Sequence, residues 1–357
     1  MVSVQTRKDL CALLSAALWR RGERGMSVCP DWKEIYGLAS RQGVAALAWD
    51  GAAVLNVQER VPEEWGERFA GVMARIVAAN VKANERVNSV CRCLEENDVK
   101  YVLLKGQGVG RSYPIPWLRM PGDIDILVER GELVRAKELI GEMDVAVDLN
   151  DRVCAEVNDN AVRWFDVLTE NRFETRRRAE GMDDAPFVPS ATFDAWYLLI
   201  HTARHLGSFG VTLRQVVDWV VHVTARREDI DWKEMERGVK LMHLEKLYNL
   251  FTAFGREFLG AEMMNAGKTE GIERLWRTIE RCQGLSRVSC YGDRRFENRV
   301  SERLFRSCVL MKQALRVLPM DREFGRFLLR KELRKFFVSI FKVSSKNSPL
   351  RNKYKDK

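Results

Sequence analysis

The chain has 357 residues, of which 46% are hydrophobic, and its formal net charge is +9 at pH 7. This composition is typical of a globular protein with a substantial core, and the length favours two or three domains. No apolar run approaches the roughly 18 uncharged residues of a membrane-spanning helix, so we expect no membrane span. The eight cysteines form neither a CxxC pair nor a ligand-like cluster, which favours reduced thiols in a cytoplasmic protein.

Apolar periodicity divides the chain into four parts. Residues 1–97 are predicted to be helical. Residues 98–185 hold the strand-like segments, and residues 190–343 return to helical periodicity after a segment at 183–189 whose composition is typical of a linker. Residues 344–357 are predicted to form a basic, mobile tail. The pattern therefore predicts an α+β core between N-terminal and C-terminal helical regions.

Positive charge is concentrated near the end of the chain. Between residues 330 and 357, ten Lys or Arg face only two acidic residues, so the remainder is nearly neutral. Such a segment usually solubilises a protein, although phosphate neutralisation would also let it hold RNA. Because no basic strand with interleaved aromatic residues is visible for stacking bases, the sequence favours a small-molecule or protein partner over RNA.

Two carboxylates stand inside the apolar, β-branched run MPGDIDILVE. Side chains alternate across a strand, so Asp123 and Asp125 share one face, about 6.6 Å apart at Cα, while the apolar residues enter a core on the other. This geometry suits Mg²⁺ held between protein carboxylates and substrate phosphates. A solvated strand edge is the competing interpretation, which the apolar flanks disfavour. An EF-hand is excluded because Leu127 and Val128 would occupy positions that need a polar residue and a glycine.

The predicted strand KYVLL runs directly into a glycine-rich turn that begins Lys105-Gly106-Gln107. A strand, a glycine turn and a helix start place backbone N–H groups where they can face a phosphate. The spacing matches neither the dinucleotide fingerprint nor the P-loop, whose lysine follows its glycines. The turn alone therefore identifies no known phosphate-binding motif.

The order of these motifs resembles a known family. A strand, Leu104-Lys105-Gly106, a helix, Tyr113-Pro114, Leu118-Arg119 and then GDIDILV are similar to the uncharacterised bacterial nucleotidyltransferase family of the DNA polymerase β-like superfamily. A second block at 201–218 resembles the helical block that follows the catalytic core of that family. The turn departs from the superfamily, which has Gly-Ser or Gly-Gly at the position of Gly106-Gln107. The resemblance implies a polymerase β-like core, a small mixed sheet with flanking helices.

The resemblance also implies a metal and nucleotide site. Asp123 and Asp125 would hold two Mg²⁺ ions, or Mn²⁺ in their place. The triphosphate of an NTP would lie against the glycine turn and the helix that follows it, with a cation nearby. The residues expected to bind the nucleotide are Lys105, Gly106, Gln107, Arg119 and Arg214.

Polymerase β-like enzymes usually add a third carboxylate from a neighbouring strand. Residues 153–168 are predicted to form two strands around a polar turn, and Asp166 lies in the second strand between apolar neighbours. We therefore assign the third carboxylate, and the third metal ligand, to Asp166. Glu156 is the second choice and Asp148 the third. For each of them a solvated acid at a sheet edge is the alternative.

His201 and His205 are four residues apart on a predicted helix and share a face, as metal-binding histidines often do. A zinc metalloprotease is excluded because its glutamate would occupy the position of Thr202. The pair either belongs to the core or, as the resemblance favours, lines the site. Arg214 lies near the start of the next predicted helix, where it can contact a phosphate or the acceptor, or pair with Asp218 one turn later.

We therefore expect a metal-dependent nucleotidyltransferase that moves a nucleoside monophosphate from an NTP to an acceptor hydroxyl and releases pyrophosphate. Two alternatives stay open. One is a non-catalytic nucleotide-binding or scaffold protein that keeps the fold, and the other is a toxin-like enzyme that modifies tRNA. The acceptor and the base preference are not determined by the sequence.

Overall fold

A computed structural model describes residues 2–22, 25–141, 143, 145–179, 185–208, 210–262, 271–282 and 299–346. Its helices are α1 (Val4–Trp19), α2 (Trp32–Arg41), α3 (Ala45–Val54), α4 (Glu63–Glu96), α5 (Gly106–Gly110), α6 (Leu133–Gly141), α7 (Asp159–Leu168), α8 (Ala191–Leu206), α9 (Leu213–Ala225), α10 (Trp232–Leu241), α11 (Glu245–Leu259), α12 (Ile272–Arg281), α13 (Arg299–Val317) and α14 (Arg322–Lys346). Its strands are β1 (Tyr101–Leu104), β2 (Ile124–Val128), β3 (Val147–Asn150), β4 (Arg177–Arg178) and β5 (Phe187–Val188). The predicted α+β class is confirmed, with helices on both sides of a small sheet.

Several helices begin at conventional capping residues. Ser3 accepts a hydrogen bond from the backbone of the first turn of α1, and Ser190 does the same for α8. Thr212 and Gln215 form a reciprocal capping box at the start of α9. Within the described residues, no helix combines the length and the apolar character that a membrane span requires.

The central sheet is mixed, in the order β1-β2-β3. β2 lies antiparallel to β1 and parallel to β3, and all five of its residues are buried. The register places Asp125 opposite Leu104 on one side and opposite Asp148 on the other. The predicted strand that carries Asp125 is therefore the middle strand of the sheet.

The two faces of the sheet enter different cores, as the two-residue period of a strand requires. Ile126 and Val128 pack with Val90 of α4 and Ile140 of α6 in the smaller core. Leu127, on the opposite face, belongs to the larger core, which is built mainly from the N-terminal helices and α8–α11. Asp125 has the same parity as Leu127, so its side chain faces the helical region that contains α8.

The predicted hairpin at 153–168 is wrong. Residues 159–168 form α7, whose N-cap Asn158 accepts a 2.7 Å hydrogen bond from the backbone N–H of Ala161. Ala161 and Phe165, one turn apart, are the buried residues of this helix. Helical burial therefore determines the structure here, because the apolar residues also fit a 3.6-residue period. Asp166 consequently lies on a helix and not on a strand.

The predicted linker is only partly described. Asp183 and Asp184 lie outside the described residues, but residues 187–188 form β5, which pairs antiparallel with β4. Residues 344–346 of the predicted tail belong to α14, and residues 347–357 lie outside the described residues.

One buried acid makes stability depend on pH. Asp194, in the first turn of α8, is buried, and its Oδ1 has no hydrogen-bond partner among the described residues. Burial raises its pKa to about 8, against the opposing effect of Arg177 and Arg226. The folded state therefore binds this proton more tightly than the unfolded state, so stability declines as pH rises from about 4 to about 8.

Replacing Asp194 with asparagine should remove that dependence. We expect Asp194→Asn to stabilise the protein by roughly 1–3 kcal/mol at about pH 9 and to change little at about pH 4, because only the ionised form is disfavoured. Urea unfolding at the two pH values measures the difference. A variant that is less stable at the higher pH would show that the carboxylate is satisfied in the folded state.

Candidate active site

Three carboxylates meet at the end of the sheet where β2 begins. Asp125, the second residue of β2, is 5% exposed. Asp123 directly precedes the strand and is exposed, as is Asp148 on β3. Asp148 lies opposite Asp125 in the parallel pairing, and neighbouring strands are about 4.8 Å apart. The structure therefore adds the third-choice acid of the sequence analysis to the predicted pair.

Asp125 is poorly satisfied by the protein alone. Its Oδ1 accepts a 2.8 Å bond from the Lys105 ammonium, whereas Oδ2 is buried with no hydrogen-bond partner among the described residues. Burial raises the pKa of Asp125 to about 6; Lys105 lowers it, and Asp148 and Asp123 raise it. A divalent cation would supply a partner for Oδ2 and reduce the repulsion among the three acids.

The donor set fits a hard cation that is shared with substrate. In the described part of the chain, no three His, Cys, Asp or Glu side chains form a ready metal cage. Mg²⁺ rarely uses such a cage, since it keeps water and binds one or two carboxylates together with substrate phosphates. Carboxylate oxygens also favour Mg²⁺ or Mn²⁺ over softer metals.

The turn after β1 requires glycine at its second position. Gly106 has a φ of +45°, and a Cβ there would lie 3.2 Å from the backbone oxygen of Asp123. Lys105 has a φ of 35°, a conformation that costs a residue with a side chain about 1 kcal/mol or more. The strained turn brings both the Lys105 ammonium and the Gly106 backbone next to the acids, where the sequence analysis expected them.

Gln107 does not face the acids. Its side-chain amide donates 2.6 Å and 3.2 Å hydrogen bonds to Asn84 and Asn80 on α4. It lines a separate cavity of about 530 Å³ beside α4. The helix that follows the turn has only five residues. The position of the Gln107 side chain therefore gives no support to a role in holding the triphosphate, and that role stays a prediction.

Arg119 is a structural residue. It is 4% exposed, and its Nε and Nη2 donate 2.7 Å and 2.8 Å hydrogen bonds to the two oxygens of Asp218. Tyr113 donates a third bond to the same carboxylate. Arg119 also lines the cavity that contains Asp123, but its Nε and Nη2 are already bound to Asp218, and its contact with the nucleotide stays a prediction.

Arg214 has the more suitable position. Its Nη1 donates to the backbone oxygens of Met120 and Pro121 at 3.2 Å and 3.1 Å, three and two residues before Asp123. Burial and the neighbouring Arg119 lower its pKa. Asp218 pairs with Arg119 and not with Arg214, so a contact with a phosphate or with the acceptor stays the prediction for Arg214.

The two arginines should differ in their contribution to stability. We expect Arg119→Gln to destabilise the protein by about 3–5 kcal/mol, because Asp218 would be left as a buried charge. Arg214→Gln removes hydrogen bonds to two backbone oxygens and should cost about 1 kcal/mol. Urea unfolding of both variants measures the contrast. Equal losses would show that Arg214 is as structural as Arg119.

His201 and His205 form one wall of the site. Their Nε2 atoms are 3.1 Å apart. Burial, with a further contribution from Lys105, lowers the pKa of His201 well below its usual range and that of His205 to about 4. Both rings are therefore neutral at pH 7, and one Nε2–H donates to the other nitrogen. They line the site, as the resemblance favoured, without adding positive charge.

The acids lie between two cavities that share four lining residues, Lys105, Asp125, His201 and His205. The first, which we call the Arg214 cavity, has about 390 Å³ and also contacts Gly106, Asp123 and Arg214. The second, the Arg204 cavity, has about 520 Å³ and also contacts Asp148 and Arg204. Asp125 therefore stands at the junction, with one acid on each side.

Asp166 is not part of this arrangement. It pairs with Arg130 at 2.7 Å and with Arg172 at 3.4 Å. Arg130 follows the far end of β2, five residues beyond Asp125, which is about 16 Å along an extended strand. Glu156, the second choice, does line the Arg204 cavity, where it pairs with Lys331 of α14.

Two cavity residues were not given a role from the sequence. Arg204 was noted only as part of the block at 201–218, and Lys331 only as part of the basic segment near the end of the chain. Arg204 directly precedes His205 on α8, and this sequence position indicated that it could lie near the site. No local feature of the sequence indicated the same for Lys331, since only the packing of α14 brings it to Glu156.

Comparison with known proteins gives one match. The model of a family described as uncharacterised nucleotidyltransferase matches residues 29–260, which is more than half of the chain and includes all three acids of the site. No curated protein matches the chain, and no solved structure matches it.

Proposed function

The chain belongs to the uncharacterised nucleotidyltransferase family and is therefore an enzyme of the nucleotidyltransferase kind with an NTP as its substrate, and we propose that it catalyses metal-dependent transfer of a nucleoside monophosphate to an acceptor hydroxyl. The acceptor oxygen forms a bond to the α-phosphorus, the bond between that phosphorus and the bridging oxygen breaks, and pyrophosphate leaves with the electron pair. The observation that carries this proposal is Asp125, buried with an unpartnered Oδ2 and in register with Asp148.

We propose Asp123, Asp125 and Asp148 as the residues that hold Mg²⁺ or Mn²⁺. When bound, the metal neutralises phosphate charge and lowers the pKa of the acceptor hydroxyl. Asp148, on the side of the Arg204 cavity, orients that hydroxyl and accepts its proton. Asp148 takes this role from Asp166 because a parallel neighbouring strand presents it beside Asp125.

The Arg214 cavity is proposed for the triphosphate. Gly106 has no side chain, so its backbone can approach phosphate oxygens closely. Lys105 and Arg214 supply positive charge on the same wall. Lys105 already neutralises part of the Asp125 charge, and cation binding at Asp125 would free its ammonium to bind phosphate.

The sheet supports the finer proposal of a polymerase β-like core. It is small and mixed, its middle strand begins within the Asp-x-Asp pair and carries Asp125, and the neighbouring parallel strand carries the third acid. This is the arrangement that the resemblance of the sequence implies.

A transfer assay tests the function. The full-length protein is incubated with each NTP labelled at the α-phosphate, with Mg²⁺ or Mn²⁺ and a cell lysate. We expect label in a new product and release of unlabelled pyrophosphate, both lost when the metal is chelated. The Asp123→Asn variant serves as the inactive control. Absence of labelled product and of metal-dependent NTP binding with every NTP would overturn the proposal.

A further inference from the structure

The Arg204 cavity carries more positive charge than its acids can balance. Three of its carboxylates are paired with lysines: Asp125 with Lys105, Glu156 with Lys331, and Glu332 with Lys335. The remaining charged residues that line it are Asp148, Arg152, Arg204 and Arg306. Arg306 has a contact of its own, and Asp148 is assigned to the metal, so the positive charges of Arg152 and Arg204 are left for something else.

Among these residues, Arg204 gives the strongest support for an anion site. It lies on α8 beside His205 and is half-buried. Its charge reaches across the cavity, because it helps to lower the pKa of Glu156 and those of both histidines. No hydrogen bond or ion pair joins its guanidinium to the described part of the chain. Arg152, at the rim, likewise makes none. A half-buried guanidinium with five unused donors is suited to binding a phosphate or carboxylate with two of them.

The size of the cavity limits what the arginines bind. About 520 Å³ is within the range of small-molecule sites, and β3, α8 and α14 enclose it with Asn150, His205 and Lys331. An acceptor held here would have its hydroxyl near Asp148 and its far end near Arg204.

We propose that the acceptor is a small molecule that carries a phosphate or carboxylate group, and that Arg204, assisted by Arg152, binds this anionic group and so selects the acceptor. The identification of the bound molecule as the acceptor rests on the proposed function, whereas anion binding at Arg204 does not depend on catalysis. A cationic acceptor such as an amino sugar is disfavoured by the same charges, and an RNA end is disfavoured because the cavity has the size of a small-molecule site.

Phosphate binding tests the anion site without an acceptor. Labelled inorganic phosphate is dialysed against the full-length protein saturated with Mg²⁺ and a non-hydrolysable NTP, which fills the Arg214 cavity. We expect one bound phosphate, with affinity reduced about tenfold or more in Arg204→Gln, the loss expected for a charge-assisted pair. Arg204→Lys should recover part of the affinity because it keeps the charge, and the exposed Arg152→Gln should weaken binding less.

The matched control is Arg237→Gln, which removes an exposed arginine of α10 that pairs within its own helix. It should bind phosphate as the unaltered protein does. The proposed anion site would be overturned if the NTP analogue displaced phosphate, or if Arg204→Gln bound phosphate as tightly as the unaltered protein does. If the analogue shows no metal-dependent binding, the proposed function fails, and phosphate binding by the nucleotide-free Arg204→Gln and Arg214→Gln variants still decides the anion site.

A fractionated extract tests the class of acceptor. Small molecules of a cell extract, freed of macromolecules by ultrafiltration, are passed over an anion-exchange resin, and each fraction is offered to the enzyme with labelled NTP. We expect the acceptor among the retained anions, with the KM for it raised in Arg204→Gln and the KM for NTP unchanged. An acceptor found only in the unretained fraction, or only among the macromolecules, would overturn the proposal.

Discussion

Replacing Asp125 with asparagine is expected to reduce nucleotide transfer roughly a thousandfold or more, because it removes the one buried metal ligand of the proposed site. The exposed Asp123 should show a loss of the same kind in Asp123→Asn. Transfer is measured with saturating NTP and Mg²⁺, so that a change in turnover is separated from a change in nucleotide affinity. Mg²⁺ should raise the unfolding temperature of the unaltered protein but not that of Asp125→Asn.

The Asp125→Asn variant should fold at least as well as the parent. The pKa of Asp125 is raised to about 6 from a model-peptide value of 3.8, chiefly by burial. The folded state therefore binds the proton more tightly than the unfolded state, and stability falls as pH rises through that window. At pH 7 a neutral amide removes the cost of the buried charge. Full activity of a variant in which Asp123 and Asp125 are both replaced by asparagine, with unchanged unfolding temperature, would exclude the proposed chemistry.

Asp148→Asn should lower turnover by about a hundredfold or more, whereas Asp166→Asn should leave turnover nearly unchanged. Asp148 is in register with Asp125 and can reach the acceptor hydroxyl, and a general base contributes typically 10²–10⁴-fold. Asp166 instead pairs with Arg130 and Arg172, so its loss should affect stability more than chemistry.

The comparison of these two variants is informative because both replace an aspartate by asparagine and differ mainly in location. Steady-state kinetics with the same NTP and the same acceptor preparation gives the two turnover numbers. The opposite ranking, with Asp166→Asn inactive and Asp148→Asn active, would place the third carboxylate on α7 and contradict the arrangement proposed for the sheet.

The sequence by itself determined the pair of carboxylates and the strand on which Asp125 lies. The alternation of Asp123 and Asp125 with apolar residues is a local property, since the two-residue period of a strand decides which side chains share a face. The glycine-rich turn after β1 is also visible in the sequence, whereas the close approach of Gly106 to the backbone oxygen of Asp123 is a tertiary contact. Family membership follows from the same motifs.

Only the tertiary structure decided which side chains join that pair. The spacing of one helical turn allowed Asp218 to pair with Arg214 on α9. In the structure, Arg119 binds Asp218 instead, from 99 residues away, through a buried bidentate contact. Asp166 fitted a strand by its apolar neighbours, yet Asn158 caps a helix there. Asp148 and Arg204 reach the site through strand register and helix packing. These pairings depend on which groups, distant in the sequence, are buried together in the folded chain. Local sequence patterns do not contain that information.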